Sequence, residues 1–407
     1  MPASKSSCPV AHGPVRDFPF TPVDGLVIEP VLAELRREEP ISRIRLPYGG
    51  EAWLATRYQD VRNALADPRL SRAAVVNADV PRRQEMQVGP EGIMYMDPPD
   101  HSRLRRLLTK AFTRRRVETL RPRVAEIAAE LAGDLAAQGS GGDLVSTFSW
   151  PLPTRVICEL LGVPYEDREI FSRGADALMQ GDTLPHAEFT SRINELCLYL
   201  AKLIAQRRAQ PTEDMLTALI QARDEDDRLS EQELISISVV LLAGGHETTA
   251  NQITNFLYTL LRHPGQLALL REKPELMPQA VDELMRYIPL GTGHHAAMIA
   301  TEDLEIGGQR IAEGESVYVH IHSANRDGEF FENPDELDLG REDNHHMGFG
   351  HGVHFCVGAQ LARMELSVAV ESVLDRFPTL ELDIEDEAIR WRSSLLVRGP
   401  LALPVRW

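Results

Sequence analysis

Cysteine is scarce in this chain: four residues, Cys8, Cys158, Cys197 and Cys356, in 407 positions. That is too few for a disulfide framework, and no C-x-x-C pair of the metal-binding kind occurs. Cys158 and Cys197 fall within apolar helical patterns and read as small core residues. Positive charge is also short. Lysine and arginine number 43 against 61 aspartates and glutamates, giving a formal net charge of -18. Nucleic acid and anionic lipid surfaces repel a chain this acidic, so neither is an expected partner. No stretch approaches the roughly 18 uninterrupted apolar residues of a membrane span. The opening M-P-A-S-K-S-S-C-P-V-A-H-G-P lacks the apolar run of a signal peptide, and a cytoplasmic location is expected. Repeats, linkers and low-complexity segments are missing too. Residues 1–15 read as a disordered tail, and 16–407 as one domain.

What is present is a large apolar fraction, 43%, and helical periodicity over most of the length. Two short strands are expected at 44–47 and 52–56, across a Y-G-G turn. Helices follow over 100–112, 117–137, 154–161, 186–208, 214–223, 230–262 and 275–287. Strands return at 296–300, 304–306 and 316–320, and a last helix covers 357–376. Mostly helix with small sheets near both ends predicts a mainly α fold rather than a βαβ array. The weakly periodic stretch 75–95 is long enough to carry function.

The densest chemistry lies in F-G-H-G-V-H-F-C-V-G, Phe349 to Gly358. Gly348, Gly350 and Gly352 recur at spacing two, permitting unusual dihedrals and close approach of a flat ligand. Cys356 stands at the start of a helix, where unpaired amides and the dipole favour thiolate. A lone thiolate suits an iron whose equatorial positions belong to a porphyrin. Two other readings are open at this point: a glycine-rich turn around a buried cysteine, and a zinc site drawn from His345, His346, His351, His354 and Cys356, although that spacing fits no common zinc pattern.

A second unusual segment interrupts the longest helix. Ser230 and Glu233 form a capping box, and the pattern continues to His263, where Pro264 stops it. Its middle reads A-G-G-H-E-T-T, Ala243 to Thr249. Two glycines inside a helix cost roughly 1 kcal/mol each relative to alanine. One explanation is a groove for a small molecule with freed carbonyls beside it; the other is close helix packing with Glu247 at the surface. In the first, Glu247 and Thr248 are placed to relay protons.

These segments resemble the cytochrome P450 family. Its cysteine signature, F-x-x-G-x-x-x-C-x-G, is matched by Phe349, Gly352, Cys356 and Gly358; its groove and acid–alcohol pair by Gly244, Gly245, Glu247 and Thr248. Glu283 and Arg286 match its E-x-x-R pair, with Arg341 in N-P-D-E-L-D-L-G-R as the downstream arginine. A-N-R-D, Ala324 to Asp327, and D-P-P-D-H-S-R-L-R-R, Asp97 to Arg106, match as well, and the motifs span nearly the whole chain in order. The resemblance implies a single triangular α-rich domain holding haem b (iron protoporphyrin IX). It implies Cys356 as axial ligand, Phe349 beside the thiolate, His354, His101 and Arg105 at the propionates, and Glu247 and Thr248 as proton carriers. It also implies electrons from NAD(P)H through a ferredoxin reductase and a ferredoxin. One position departs: Met298 stands where members often carry a propionate arginine. His101, Arg105 and His354 are then left to neutralise the propionates, with His295 as a further candidate.

The expected activity is hydroxylation or epoxidation of a small secondary metabolite, of macrolide type by similarity to actinobacterial members of antibiotic biosynthesis. Oxidative coupling of an aromatic metabolite such as a cyclic dipeptide is the alternative. Candidate pocket residues are Val240, Ala243, Gly291, Thr292, His294, His295 and Leu395. The basic run Arg103, Arg105, Arg106, Lys110, Arg114, Arg115 and Arg116 is either a solvated helix face or a docking surface for an acidic ferredoxin, with Arg103, Arg106, Lys110 and Arg114 foremost. A gas-binding protein without turnover would not need the Glu247–Thr248 pair, and a peroxide-driven enzyme would normally lack it.

Overall fold

The structure, a computed structural model, describes residues 13–22, 25–83, 92–180, 184–226, 229–291, 297–392 and 397–407, and of 110–111, 179–180 and 222–226 the backbone alone. Helix dominates, with three small sheets among the described residues, the mainly α class expected. The axis is helix Glu231–Arg262. The Ser230 hydroxyl accepts from the Glu233 amide at 3.1 Å, and the Glu233 carboxylate accepts from the Ser230 amide at 2.7 Å. Two amides that helix geometry leaves unpaired are thereby satisfied. Its 32 residues run about 48 Å at about 1.5 Å each.

Leu242, Ile253, Phe256 and Leu260 on this helix are wholly buried in the main core. Three of its buried polar side chains turn back onto their own helix. Ser238 Oγ donates to the Leu234 carbonyl at 2.8 Å, Asn251 Nδ2 to that of Glu247 at 2.8 Å, and Thr254 Oγ1 to that of Ala250 at 3.1 Å. Burial then leaves these groups paired. Pro264 ends the helix as expected, and it also opens the next one, Pro264–Glu272, where its missing N–H is no loss. Helices Pro151–Leu161, Arg168–Gln180 and Ala359–Arg376 pack against the long helix, and Arg114–Ala136 packs on Ala359–Arg376.

The largest sheet has the strand order Arg16–Asp17, Ile41–Arg45, Glu51–Ala55, Ser316–Val319, Met298–Ala300, Leu70–Ser71. It joins the first seventy residues to the segment around residue 300. The first strand expected at 44–47 lies at Ile41–Arg45, because the Leu46 amide bonds the Gly50 carbonyl at 3.0 Å and closes the hairpin there. Among the described residues no helix is long and apolar enough to cross a membrane.

Candidate active site

Between residue 342 and Gly358 the chain has neither helix nor strand apart from the single turn Gly352–His354. Cys356 lies three residues ahead of helix Ala359–Arg376. Its amide donates to the Phe349 carbonyl at 2.8 Å, and its Sγ accepts from the Gly358 amide. Phe349 is buried, with the Arg363 guanidinium 4.5 Å over its ring. The Cys356 side chain is accessible, whereas Cys158 is buried. Yet desolvation raises its thiol pKa, against the Gly358 amide, Arg105 and Arg363, which lower it. The two facts together describe a thiol facing a cleft inside the fold, open to a small molecule but walled by protein. The helix start contributes its amide, and desolvation outweighs it.

Gly350 and Gly352 have φ of 76° and 71°, conformations that side chains disfavour. A Cβ on Gly352 would lie 2.3 Å from the Leu65 carbonyl oxygen, and one on Gly348 would lie 2.7 Å from that of Met285. These two glycines admit neighbouring backbone at close range. His346 is committed to structure: Nδ1 accepts from the Gly348 amide at 3.0 Å and Nε2 meets Asp282 at 3.3 Å. Among the described residues no three His, Cys, Asp or Glu side chains converge as a metal-holding group, so the zinc alternative has no geometry behind it.

The two glycines of the long helix serve different ends. A Cβ on Gly244 would meet nothing within 4 Å, whereas one on Gly245 would lie 2.9 Å from Ile157. Gly244 therefore leaves open space, and Gly245 admits helix Pro151–Leu161. The helix runs unbroken through both. Thr248 Oγ1 donates to the Gly244 carbonyl at 2.6 Å. Glu247 is 1% exposed, not a surface residue, and its Oε2 has no hydrogen-bond partner among the described residues. Burial pushes its carboxyl up to about 7, with Asp176 adding to the rise and Arg392 opposing it. His246 stands edge-on to Trp150 at 5.1 Å and Phe171 at 6.0 Å, and burial holds its pKa down to about 4. Asp176 and Arg392 carry no local sequence signal; the fold alone brings them to Glu247.

A cationic group forms beside the cysteine loop. The His101 and His354 rings lie 4.2 Å apart. His101 is 2% exposed and its Nδ1 is unpartnered among the described residues. His354 donates to the Met96 carbonyl, and burial, Arg72, His101 and Arg105 hold its pKa down to about 3. His101, Arg105, Arg106 and Val353 border a cavity of about 460 Å³. Arg72 was not singled out from the sequence. Arg103 pairs with Glu233 at the start of the long helix, while Arg106, Arg114, Arg115 and Arg116 are exposed. Only the backbone of Lys110 is described. Of the pocket candidates, Ala243 is buried, and Val240 and Gly291 are partly buried. A Cβ on Gly92 would lie 3.6 Å from Val240, so the 92–96 segment passes close over the long helix. Thr292, His294, His295 and Leu395 lie outside the described residues.

Beneath the loop, the Glu283 and Arg286 side chains are both 0% exposed and doubly bonded, at 2.8 Å and 2.8 Å. Arg341 Nε and Asn344 Nδ2 add bonds to Glu283 at 3.1 and 3.0 Å. Arg286 also donates to the carbonyls of Asn325, Pro334 and Glu336.

A flat iron macrocycle bearing two carboxylates fits these residues. The accessible thiol of Cys356 would supply a soft donor to its metal, Gly244 presents backbone without a side chain, and the open Nδ1 of His101 beside Arg105 would offer donors to its carboxylates. The comparisons agree. The family model for cytochrome P450 matches residues 183–402. Mycinamicin IV hydroxylase/epoxidase of Micromonospora griseorubida is 48% identical over 96% of this chain and 98% of its own length. Nocardicin C N-oxygenase of Nocardia uniformis subsp. tsuyamanensis is 46% identical over the same shares. The solved structure of the cytochrome P450 hydroxylase LnmA, from the leinamycin pathway of Streptomyces atroolivaceus S-140, is 48% identical with a TM-score of 0.91, covering 97% of this chain and 100% of that one. With the accessible cysteine, the glycine-opened helix and near full-length identity all in hand, the chain belongs to the cytochrome P450 family and is a haem-dependent monooxygenase.

Proposed function

We propose that this enzyme hydroxylates or epoxidises a macrolide-type polyketide. The observation that carries the reading is the 48% identity, over 96% of the chain, to a hydroxylase/epoxidase of the macrolide mycinamicin IV. The N-oxygenase at 46% acts on a different molecule, so the substrate class is settled by assay: purified holoenzyme with an electron source and mycinamicin IV is expected to yield a product heavier by one oxygen atom, with the label from ¹⁸O₂. Absence of any such product across a macrolide panel would overturn the macrolide assignment. Dimeric products from cyclic dipeptides would establish coupling in its place.

In this reading Cys356 would hold the haem iron through its Sγ, to which the Gly358 amide donates. Haem, when bound, supplies dioxygen activation. Thr248 Oγ1, anchored on the Gly244 carbonyl, holds a proton at the edge of the open space. Glu247, with a carboxyl near 7 and one oxygen free, reloads it. Removing a general acid typically costs 10²–10⁴-fold, so Glu247→Gln is expected to lower coupled turnover about 10²-fold. The acid form of Glu247 declines as pH rises through about 7. Wild-type coupling should therefore fall above that pH, and the Gln variant should lose that inflection. A profile that keeps it would assign the proton to another group.

Electrons come from a ferredoxin and an NAD(P)H-dependent reductase. The exposed Arg106 and Arg114, with Arg115 and Arg116, form a basic patch suited to an acidic ferredoxin. Arg103 contributes less, because Glu233 already neutralises it. Arg106→Glu or Arg114→Glu is expected to slow reduction by roughly tenfold at low salt, with the difference shrinking as salt is raised. A reduction rate unchanged at low salt would remove the patch from the docking surface.

A further inference from the structure

Arg72 is 6% exposed. Among the described residues its guanidinium makes no hydrogen bond or ion pair. Buried arginines are almost never left so, because the desolvated charge needs an acceptor. Around it stand His101, His354, Tyr95 and Asp97, and Arg105 acts on the same two histidines. Asp97, the one acid in the group, is spoken for: Oδ1 accepts from the Arg72 amide at 3.0 Å and Oδ2 from the Ser71 hydroxyl. Two guanidinium groups and two imidazoles thus gather inside a protein of net charge -18, and among the described residues no free carboxylate faces them.

The sheet explains how this cation arrives. Strand Leu70–Ser71 runs antiparallel to Met298–Ala300, pairing Leu70 with Ala300 and Ser71 with Ile299. One step further in that register sets Arg72 opposite Met298. Residues opposed across an antiparallel pair share a face. An apolar side chain on one strand is therefore matched by a cation at the end of its neighbour.

We infer that Arg72 is a cofactor-carboxylate ligand in this chain, joining His101, Arg105 and His354 around the haem propionates from the position opposite Met298. This rests on the haem reading of the site. Arg72→Met removes the charge at similar bulk. In the purified holoenzyme it should speed haem loss to excess apomyoglobin about tenfold, the size of one charge-assisted hydrogen bond, and lower the reduction potential, since a lost cation disfavours the ferrous state. Met298→Arg added to Arg72→Met should return both readouts toward wild type. An Arg72→Met protein that keeps wild-type haem loss and potential overturns the inference. So does a folded double variant that loses haem as fast as the single. Where the double variant fails to fold, Arg72→Lys decides: near-wild-type retention supports the assignment, and loss equal to that of Arg72→Met overturns it. Failure of the wild-type protein to hold haem at all would instead defeat the underlying reading.

Discussion

Cys356→Ala is expected to abolish both the strongly red-shifted Soret band of the reduced carbon monoxide complex and all oxygenation, while leaving the fold in place. The expectation of an intact fold comes from geometry. The side chain is accessible, so its loss leaves no packed cavity. The contacts that shape the loop are backbone ones: the Cys356 amide on the Phe349 carbonyl at 2.8 Å and the Gly350 amide on the Met347 carbonyl at 2.8 Å. What alanine removes is the sulfur and its bond to the Gly358 amide. Thiolate is the ligand that gives this family its spectrum and pushes electron density onto the iron. Among the described residues the other cysteines are placed in or against the core: Cys158 is buried there and Cys197 is partly buried against it. A spectrum that survives the substitution would mean a different axial ligand, with His351 and His354 of the same loop the first to test. Circular dichroism of the variant separates ligand loss from unfolding.

The parts of this site that sequence makes legible are those whose chemistry is local. Cys356, Gly358 and Phe349 sit within ten residues, and Ser230 caps its helix through an amide three residues on. Glu247 and Thr248 are adjacent, and Thr248 reaches a carbonyl one turn back. The remainder depends on pairs far apart in the chain. Helix Tyr58–Ala66 has no side-chain cap of its own; its first amide is taken by Asp327 at 2.8 Å, so no signal near residue 58 announced it. Helix Val31–Glu38 likewise lacks a local cap. Arg168–Gln180, also unforeseen, carries Asp176 to Glu247. The exposure of Glu247 was open to two readings until the neighbouring helices were in place. Arg72 belongs to the same class, because its meaning lies in the strand pairing with Met298 rather than in its flanking residues.

Glu283→Ala is the substitution expected to cost the fold most. Glu283 is fully buried and accepts from four donors: Arg286, Arg341, Asn344 Nδ2 and the Asp338 amide, all between 2.8 and 3.1 Å. Removing one partner of a buried ion pair leaves the other charged in a dry site, typically at about 3–5 kcal/mol, against a total stability of only about 5–15 kcal/mol. The damage should not stay local. Arg286 ties down the carbonyls of Asn325, Pro334 and Glu336, and Asn325 Oδ1 in turn accepts from the Met347 amide at 2.8 Å. Met347 leads directly into Gly348, which is seated against the Met285 carbonyl. The ion pair is thus the footing of the cysteine loop, and the variant should lose haem along with its denaturant midpoint. Glu283→Gln keeps the shape and some acceptors and should fall between. The exposed Glu118–Arg121 pair is the control: Glu118→Ala should cost under about 1 kcal/mol and leave haem content unchanged. Equal denaturant midpoints for Glu283→Ala and Glu118→Ala would show that the buried pair contributes no more than a surface one, and the loop would then owe its position to its own backbone bonds alone.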